Sequence, residues 1–218
     1  MARIVFDLDG TLIDSAPDLH AIANALLAKE GSAPITLEHA RDFIGNGAAV
    51  FVQRMREARG IADSEQDRLL ADFIARYDDA VDLTVPYPAV PETLALLSGA
   101  GHALGVCTNK PISPTRAVLS HLGLDRHFGI ILGGDSLPKH KPDPAPLHAA
   151  FEALGSGPEI YVGDSEVDAE TARRACVPFL LFTEGYLKVP ATDLSCTATF
   201  SDFTNLPALV ARTIEEAA

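Results

Sequence analysis

Ile4-Val5-Phe6-Asp7-Leu8-Asp9-Gly10-Thr11-Leu12-Ile13-Asp14-Ser15 opens as an apolar run suited to a strand and then crowds three carboxylates and two hydroxyls into one turn. Like charges at a strand end repel one another and resist desolvation. The cluster is therefore favourable where a cation neutralises it or where one carboxylate serves as a nucleophile. The same residues also read as an ordinary Asp-Gly-Thr turn followed by a helix cap at Asp14-Ser15. The segments further along the chain decide between the two.

Around this segment lies a chain of 218 residues, 47% of them hydrophobic, which suits one large domain or a core with a modest insertion. Its 30 acidic and 17 basic residues give a formal charge of −13. That balance argues against nucleic acid as a partner and means that an anionic small substrate needs local compensation. Apolar stretches such as Val177 to Phe182 are far too short to span a bilayer, and no charged-then-apolar leader opens the sequence. A cytoplasmic protein without a membrane partner, a monomer or homodimer, is expected. Cys107, Cys176 and Cys196 are odd in number and share no short spacing, which suggests neither a disulfide framework nor a thiolate zinc site. Cys107 reads as a small apolar residue finishing a buried strand.

From about residue 100 onward, short apolar runs (Ala103 to Cys107, Ile130 to Leu132, Ile160 to Val162, Phe179 to Phe182) alternate with amphipathic stretches. This pattern predicts an α/β fold with a Rossmann-like parallel sheet covered by helices. Ser113-Pro114 can open a helix closing at Leu122-Gly123, and Asp143-Pro144 one closing at Leu154-Gly155. Residues 16 to 80 hold no convincing strand but several helical patterns: Leu19 to Lys29, Ala48 to Arg59 and Glu65 to Asp79. A parallel crossover needs only one helix, so three or four imply a separate helical cap inserted after the first strand. The expected division is a core of residues 1–15 and 82–218 and a cap of residues 16–81, rejoining near Pro86-Tyr87-Pro88.

In such a sheet the site forms outside the carboxyl ends of the strands, and the polar residues fall there. Three strand ends deliver Asp7, Thr108 and Asp164. Val106-Cys107-Thr108-Asn109-Lys110 ends a strand with a hydroxyl and backbone donors suited to gripping phosphoryl oxygens. Lys139-His140-Lys141-Pro142-Asp143-Pro144 sets a lysine directly before a proline and fixes the approach of a cation. Tyr161-Val162-Gly163-Asp164-Ser165-Glu166-Val167-Asp168 supplies two more carboxylates, Asp168 one helical turn after Asp164. Asp164 also reads as a simple helix cap. A divalent metal and a phosphoryl group together account for all four segments.

Taken in order, these segments resemble the haloacid dehalogenase-like phosphatases over essentially the whole chain. The resemblance implies that Asp7 is the nucleophile that forms an aspartyl-phosphate. Asp9 is then the acid that protonates the leaving alcohol and afterwards activates water. Thr108 and Lys141 would hold the phosphoryl oxygens, with Asn109 beside them. The cofactor implied is Mg²⁺, on Asp7, the backbone carbonyl of Asp9, and Asp164, with Asp168 supporting through water. Phe43-Ile44-Gly45-Asn46-Gly47 resembles the glycine-containing loop that a cap presents to the substrate, which makes Gly45 and Asn46 candidate binding residues; it also reads as a glycine stop between two helices.

Phe128-Gly129-Ile130-Ile131-Leu132-Gly133-Gly134-Asp135-Ser136-Leu137-Pro138 and Lys141-Pro142-Asp143-Pro144-Ala145-Pro146-Leu147 are further similar to the phosphoglycolate phosphatase family, and so is Cys107-Thr108-Asn109-Lys110-Pro111. That similarity implies a small phosphorylated metabolite as substrate, 2-phosphoglycolate, cleaved to glycolate and phosphate. Ala89 and Cys176 depart from the family pattern, standing where glycines are expected. A sugar phosphomutase of the same fold would use the same Asp7 and Asp9, whereas a haloacid dehalogenase has no need for Asp9 or a Mg²⁺ cluster. A phosphoryl-accepting receiver module carries its aspartate after a later strand and has no cap.

Overall fold

In β1 (Arg3–Phe6), Ile4 and Phe6 turn to one face and Val5 to the other, all fully buried, because helices cover both faces of the sheet they join. The computed structural model describes residues 1–216. From β1 the chain runs through β2 (Ile13–Asp14) into four helices: α1 (Ala16–Lys29), α2 (Leu37–Phe43), α3 (Ala48–Glu57) and α4 (Gln66–Tyr77). It returns through β3 (Val85–Pro86) to α5 (Val90–Gly99), β4 (Ala103–Cys107), α6 (Ile112–His121) and β5 (Ile130–Leu132). The remainder is α7 (Ala145–Ala153), β6 (Glu159–Gly163), α8 (Glu166–Ala175), β7 (Phe179–Phe182), β8 (Ala198–Phe200) and α9 (Leu206–Glu216).

Six strands align in parallel in the order β5-β4-β1-β6-β7-β8. This is the order of a doubly wound sheet, in which the chain fills one side of β1 and then crosses to the other. On one face Leu94 of α5, Val118 of α6 and Val210 of α9 pack against Phe6, Val106 and Val162. On the other, Phe151 of α7 and Ala172 of α8 pack against Val5, Tyr161 and Leu181. The expected α/β fold, with helices inserted after the first strand, is the one the chain adopts. Phe6 is level with both Val106 and Val162, so the residues just beyond them, Asp7, Thr108 and Asp164, emerge side by side at one edge. Adjacent strands lie about 4.8 Å apart, which brings those side chains within reach of one small ligand.

The inserted helices build a separate apolar cluster. Leu19, Ile22 and Leu26 recur at helical spacing on α1 and face Phe51 and Met55 of α3 and Leu69 and Phe73 of α4. Where the chain leaves and re-enters the sheet, β2 and β3 pair antiparallel. Asp18 at the start of α1 ties down the return by accepting from Leu83 N at 3.1 Å and Thr84 Oγ1 at 2.6 Å.

Several elements were not foreseen by periodicity. Helix α2 has 7 residues, too few to register a repeat, and rests on a Thr36/His39 capping box. The ribbon strands have 2 residues each, and β8 and α9 lie in a polar carboxyl-terminal stretch. Ala89 and Cys176 each take left-handed backbone, at φ 63° and 57°, so the turn geometry of the absent glycines persists without them. A Cβ in that region costs on the order of 1 kcal/mol. Ala89→Gly and Cys176→Gly are therefore each expected to raise stability by about 1 kcal/mol and Tm by roughly 2–4 °C. Denaturant titration of both variants checks this, and unchanged midpoints would contradict the strain.

Candidate active site

Asp7 leaves β1 at the point where its backbone N–H donates to Val162 O at 2.9 Å, so the sheet itself fixes its position. Its carboxylate is 7% exposed. Lys141 Nζ donates to Asp168 Oδ1 at 2.7 Å and Tyr161 Oη at 2.9 Å. It also lies 2.7 Å from Asp7 Oδ1 as a buried ion pair. One ammonium shared among these carboxylates leaves the cluster short of positive charge, which a bound cation would supply.

Asp164 is not a helix cap. Ser165 caps α8, its hydroxyl accepting from Asp168 N, while Asp164 accepts from Thr11 Oγ1 at 2.7 Å and Tyr186 N at 2.7 Å. Gly10 and Gly185 let two backbone segments close on this carboxylate, since a Cβ at either would collide with Asp164. Asp168 is fully buried, and both of its oxygens accept from the protein: Oδ1 from Lys141 and Tyr161, Oδ2 from Ser165 Oγ at 2.6 Å. Oxygens of Asp7, Asp164 and Asp168 lie within 4.8 Å of one another, a spacing that could hold a metal ion. The donor set fits a hard cation. Asp7 has the oxygen to spare, and Asp168, saturated by its neighbours, fits better as the residue that holds Lys141.

Protonation follows these surroundings. Burial, reinforced by the charge of Asp168 and opposed by Lys141, pushes the Asp7 carboxyl up to about 7. Burial and the neighbouring carboxylates raise Asp164 as well. Asp168 is instead held below its ordinary value, because Lys141 and its hydrogen bonds outweigh burial. Burial pushes the Cys107 thiol up to about 12, consistent with its place as an apolar strand residue.

The expected acid, Asp9, stands on the cavity side. Its Oδ1 accepts from Ser15 Oγ at 2.5 Å, so Ser15 serves Asp9 and does not cap α1 with its side chain. It also accepts from Lys110 Nζ at 3.2 Å. Lys110, 5% exposed, reaches across to Tyr77 Oη at 2.9 Å on α4. Although burial opposes its charge, Asp9 and Tyr77 push the Lys110 ammonium up to about 12. Thr108 is buried beside it, its hydroxyl accepting from Lys110 N at 3.2 Å.

A cavity opens above these groups. Its floor is Asp7, Asp9, Thr108, Asn109 and Lys110; its opposite wall is largely apolar and comes from the insertion, with Leu19, Ile44, Phe51, Phe73 and Tyr77. Gly45 and Gly47 line it, whereas Asn46 between them does not. Gly47 also precedes α3 at φ 85°, as the reading of a glycine stop between two helices expects. The Asn109 amide is engaged as a clamp: it donates to Gly45 O and Lys141 O and accepts from Lys141 N, each at 3.0 Å. Sequence reasoning missed Lys110, Tyr77, Tyr161 and Tyr186, whose partners lie 7 to 172 residues away. Of these only Lys110 carried a signal, its place two residues after Thr108.

Asp7 and Asp9 thus face one cavity, with Lys141, Asp164 and Asp168 packed around Asp7. The haloacid dehalogenase-like hydrolase family matches residues 4–182. The chain belongs to that family. It is 48% identical over 215 residues to a phosphoglycolate phosphatase of Cereibacter sphaeroides, covering 97% of this chain and 99% of that one. To a phosphoglycolate phosphatase of Rhodospirillum rubrum it is 40% identical, covering 93% and 88%. A crystal structure described as a predicted phosphoglycolate phosphatase from Haemophilus somnus superposes with a TM-score of 0.90 at 32% identity, covering 96% of this chain and 98% of that one. Family and site together make this hydrolase a phosphatase.

Because the folded state raises Asp7 from 3.8 to about 7, it binds a proton more tightly than the unfolded chain does. Without a cation that contribution to stability is full below about pH 4 and is lost as pH rises through about 7. A divalent ion needs the ionised form and so acts in the opposite sense. Melting curves in chelator are expected to show Tm falling from pH 5 to pH 8, and an added divalent cation to raise Tm several degrees more at pH 8. An equal shift at both pH values would remove Asp7 and Asp164 from the metal site.

Proposed function

We propose that the enzyme hydrolyses 2-phosphoglycolate to glycolate and inorganic phosphate through an aspartyl-phosphate on Asp7, with Mg²⁺ as its metal. The observation that carries this reading is the buried Asp7 carboxylate, which lines the cavity beside Asp9 with Lys141 Nζ 2.7 Å from its Oδ1. Full-length similarity to proteins named phosphoglycolate phosphatase supports the choice of substrate.

A carboxylate oxygen of Asp7 attacks phosphorus, the bond from phosphorus to the glycolate oxygen breaks, and Asp9 hands that oxygen a proton. Water then attacks the aspartyl-phosphate, Asp9 recovers a proton from it, and phosphate leaves with the Asp7 carboxylate restored. Lys141 and Thr108 hold the phosphoryl oxygens, and Lys141 offsets the repulsion between the nucleophile and the phosphate dianion. Mg²⁺, held by Asp7, Asp164 and the backbone carbonyl of Asp9, supplies further positive charge to the phosphoryl group. Residues 16–81 act as a cap whose apolar wall keeps bulk water from the aspartyl-phosphate. The separate apolar cluster of α1 to α4 supports that division from a core of residues 1–15 and 82–218.

Phosphate release from 2-phosphoglycolate, glycerol phosphate, sugar phosphates and pyrophosphate, with and without Mg²⁺, tests the reading. The expected result is Mg²⁺-dependent turnover with the highest kcat/KM on 2-phosphoglycolate; a higher kcat/KM on any other ester would refute the substrate. Asp7→Asn is expected to lower kcat by at least about 10⁴-fold. Because the replacement removes a buried charge, Tm at pH 8 without metal should match or exceed that of the wild type. Substantial turnover by the folded variant would exclude Asp7 as nucleophile.

A further inference from the structure

Lys110 belongs to no step described above, yet it sits in the cavity floor between Asp9 and the inserted helices. Of the two buried lysines at the site, Lys141 stands against Asp7 and Asp168 and is the one assigned to the phosphoryl group. Among the described residues, Lys110 is the one cationic side chain that lines the cavity. An ammonium has three donors, and the Lys110 contacts engage two: Asp9 Oδ1 at 3.2 Å and Tyr77 Oη at 2.9 Å. The opposing wall of Leu19, Ile44, Ala48, Phe51 and Phe73 is apolar, and Tyr77, whose hydroxyl meets Lys110, is its one polar side chain among the described residues.

We infer that Lys110 is the specificity residue that receives the carboxylate of the leaving group, so that the enzyme selects phosphate esters bearing a carboxylate one carbon from the ester oxygen. This rests on the proposed hydrolysis of 2-phosphoglycolate and assigns its recognition to a residue. The spacing follows from Asp9. The group that protonates the ester oxygen is 3.2 Å from the Lys110 ammonium, so a substrate whose ester oxygen meets Asp9 presents to Lys110 whatever lies one methylene further along. In 2-phosphoglycolate that is a carboxylate, which pairs with the ammonium in a dry, largely apolar cavity. A neutral hydroxymethyl group there leaves the buried cation without that partner, and a longer chain carries its anion into the apolar wall.

The test compares 2-phosphoglycolate with 2-hydroxyethyl phosphate, which has the same skeleton with a hydroxymethyl group in place of the carboxylate, in wild type, Lys110→Met and Lys110→Arg. Lys110→Met is expected to lower the ratio of kcat/KM values, acid over alcohol, by about 100-fold, largely through KM for the acid. Competitive inhibition by glycolate should weaken in parallel, while inhibition by inorganic phosphate should change much less. Lys110→Arg keeps the charge but displaces it, and should lower the ratio at least about tenfold. That variant carries the test if the methionine variant does not fold. A ratio retained in the folded variants, or an equal loss on both substrates, would overturn the inference and leave Lys110 as a support for Asp9. A wild type with no preference for the acid would instead overturn the substrate reading itself.

Discussion

Three carboxylates buried around one ammonium dominate this molecule. Asp7, Asp164 and Asp168 are each less than 10% exposed, and Lys141 among them is 2% exposed. One lysine does not balance three acids. The burden falls on Asp7 and Asp164, whose carboxyls are raised, while Asp168 takes most of the lysine and stays low. That asymmetry assigns parts to chemically identical groups. The carboxylate with the fullest set of donors holds the lysine, and the two left short of positive charge are the ones a divalent cation would satisfy.

The rest of the architecture holds that imbalance in place. Parallel register sets Asp7, Thr108 and Asp164 at one edge. The insertion then closes over it through contacts that cross between its helices and the sheet loops. Tyr186 joins the two, its amide on Asp164 and its hydroxyl on Asp14 at 2.6 Å, and Asp14 in turn pairs with Arg41 of α2 at 3.0 Å. Ser113 donates to Asp78 at 2.7 Å and Lys188 to Ile44 O at 2.7 Å. The exposed pairs among these are individually weak in water. Their effect is geometric: several short tethers around the rim fix where the apolar wall stands relative to the acidic floor.

What the sequence disclosed follows the physics of each feature. Ala103 to Cys107, Ile130 to Leu132 and Phe179 to Phe182 were legible to the residue, because a strand in a parallel sheet covered on both faces is a bare apolar run between polar ones. The acidic motifs were legible because charge at a strand end has few structural excuses. Helix α2 and the β2–β3 ribbon were hidden by shortness, and Tyr77, Tyr161 and Tyr186 by distance, since nothing local marks a tyrosine whose hydroxyl meets a residue elsewhere in the chain. Asn109 shows the converse limit. Its position beside Thr108 suggested ligand binding, whereas its amide is occupied in bonding Gly45 to Lys141.

Asp7 and Asp9 are two residues apart and of one chemical type, yet the fold gives each its own lysine from a different loop. Lys141, after β5, stands against Asp7, and Lys110, after β4, against Asp9. Nothing in the Asp-x-Asp spacing requires this. Lys110 follows β4, the strand next to β1, whereas Lys141 is brought in by the long loop after the edge strand β5. Lys141 is closed in by Asp168 and Tyr161 within the sheet layer. Lys110 is closed in by Tyr77 of the insertion, at the end of an aromatic series in which Phe51, Phe73 and Tyr77 follow one another with ring centroids 5.2 and 5.3 Å apart. One aspartate is thus set by the sheet layer and the other by the inserted helices, so that on the proposed mechanism the sheet would govern the attack on phosphorus and α4 the choice of leaving group.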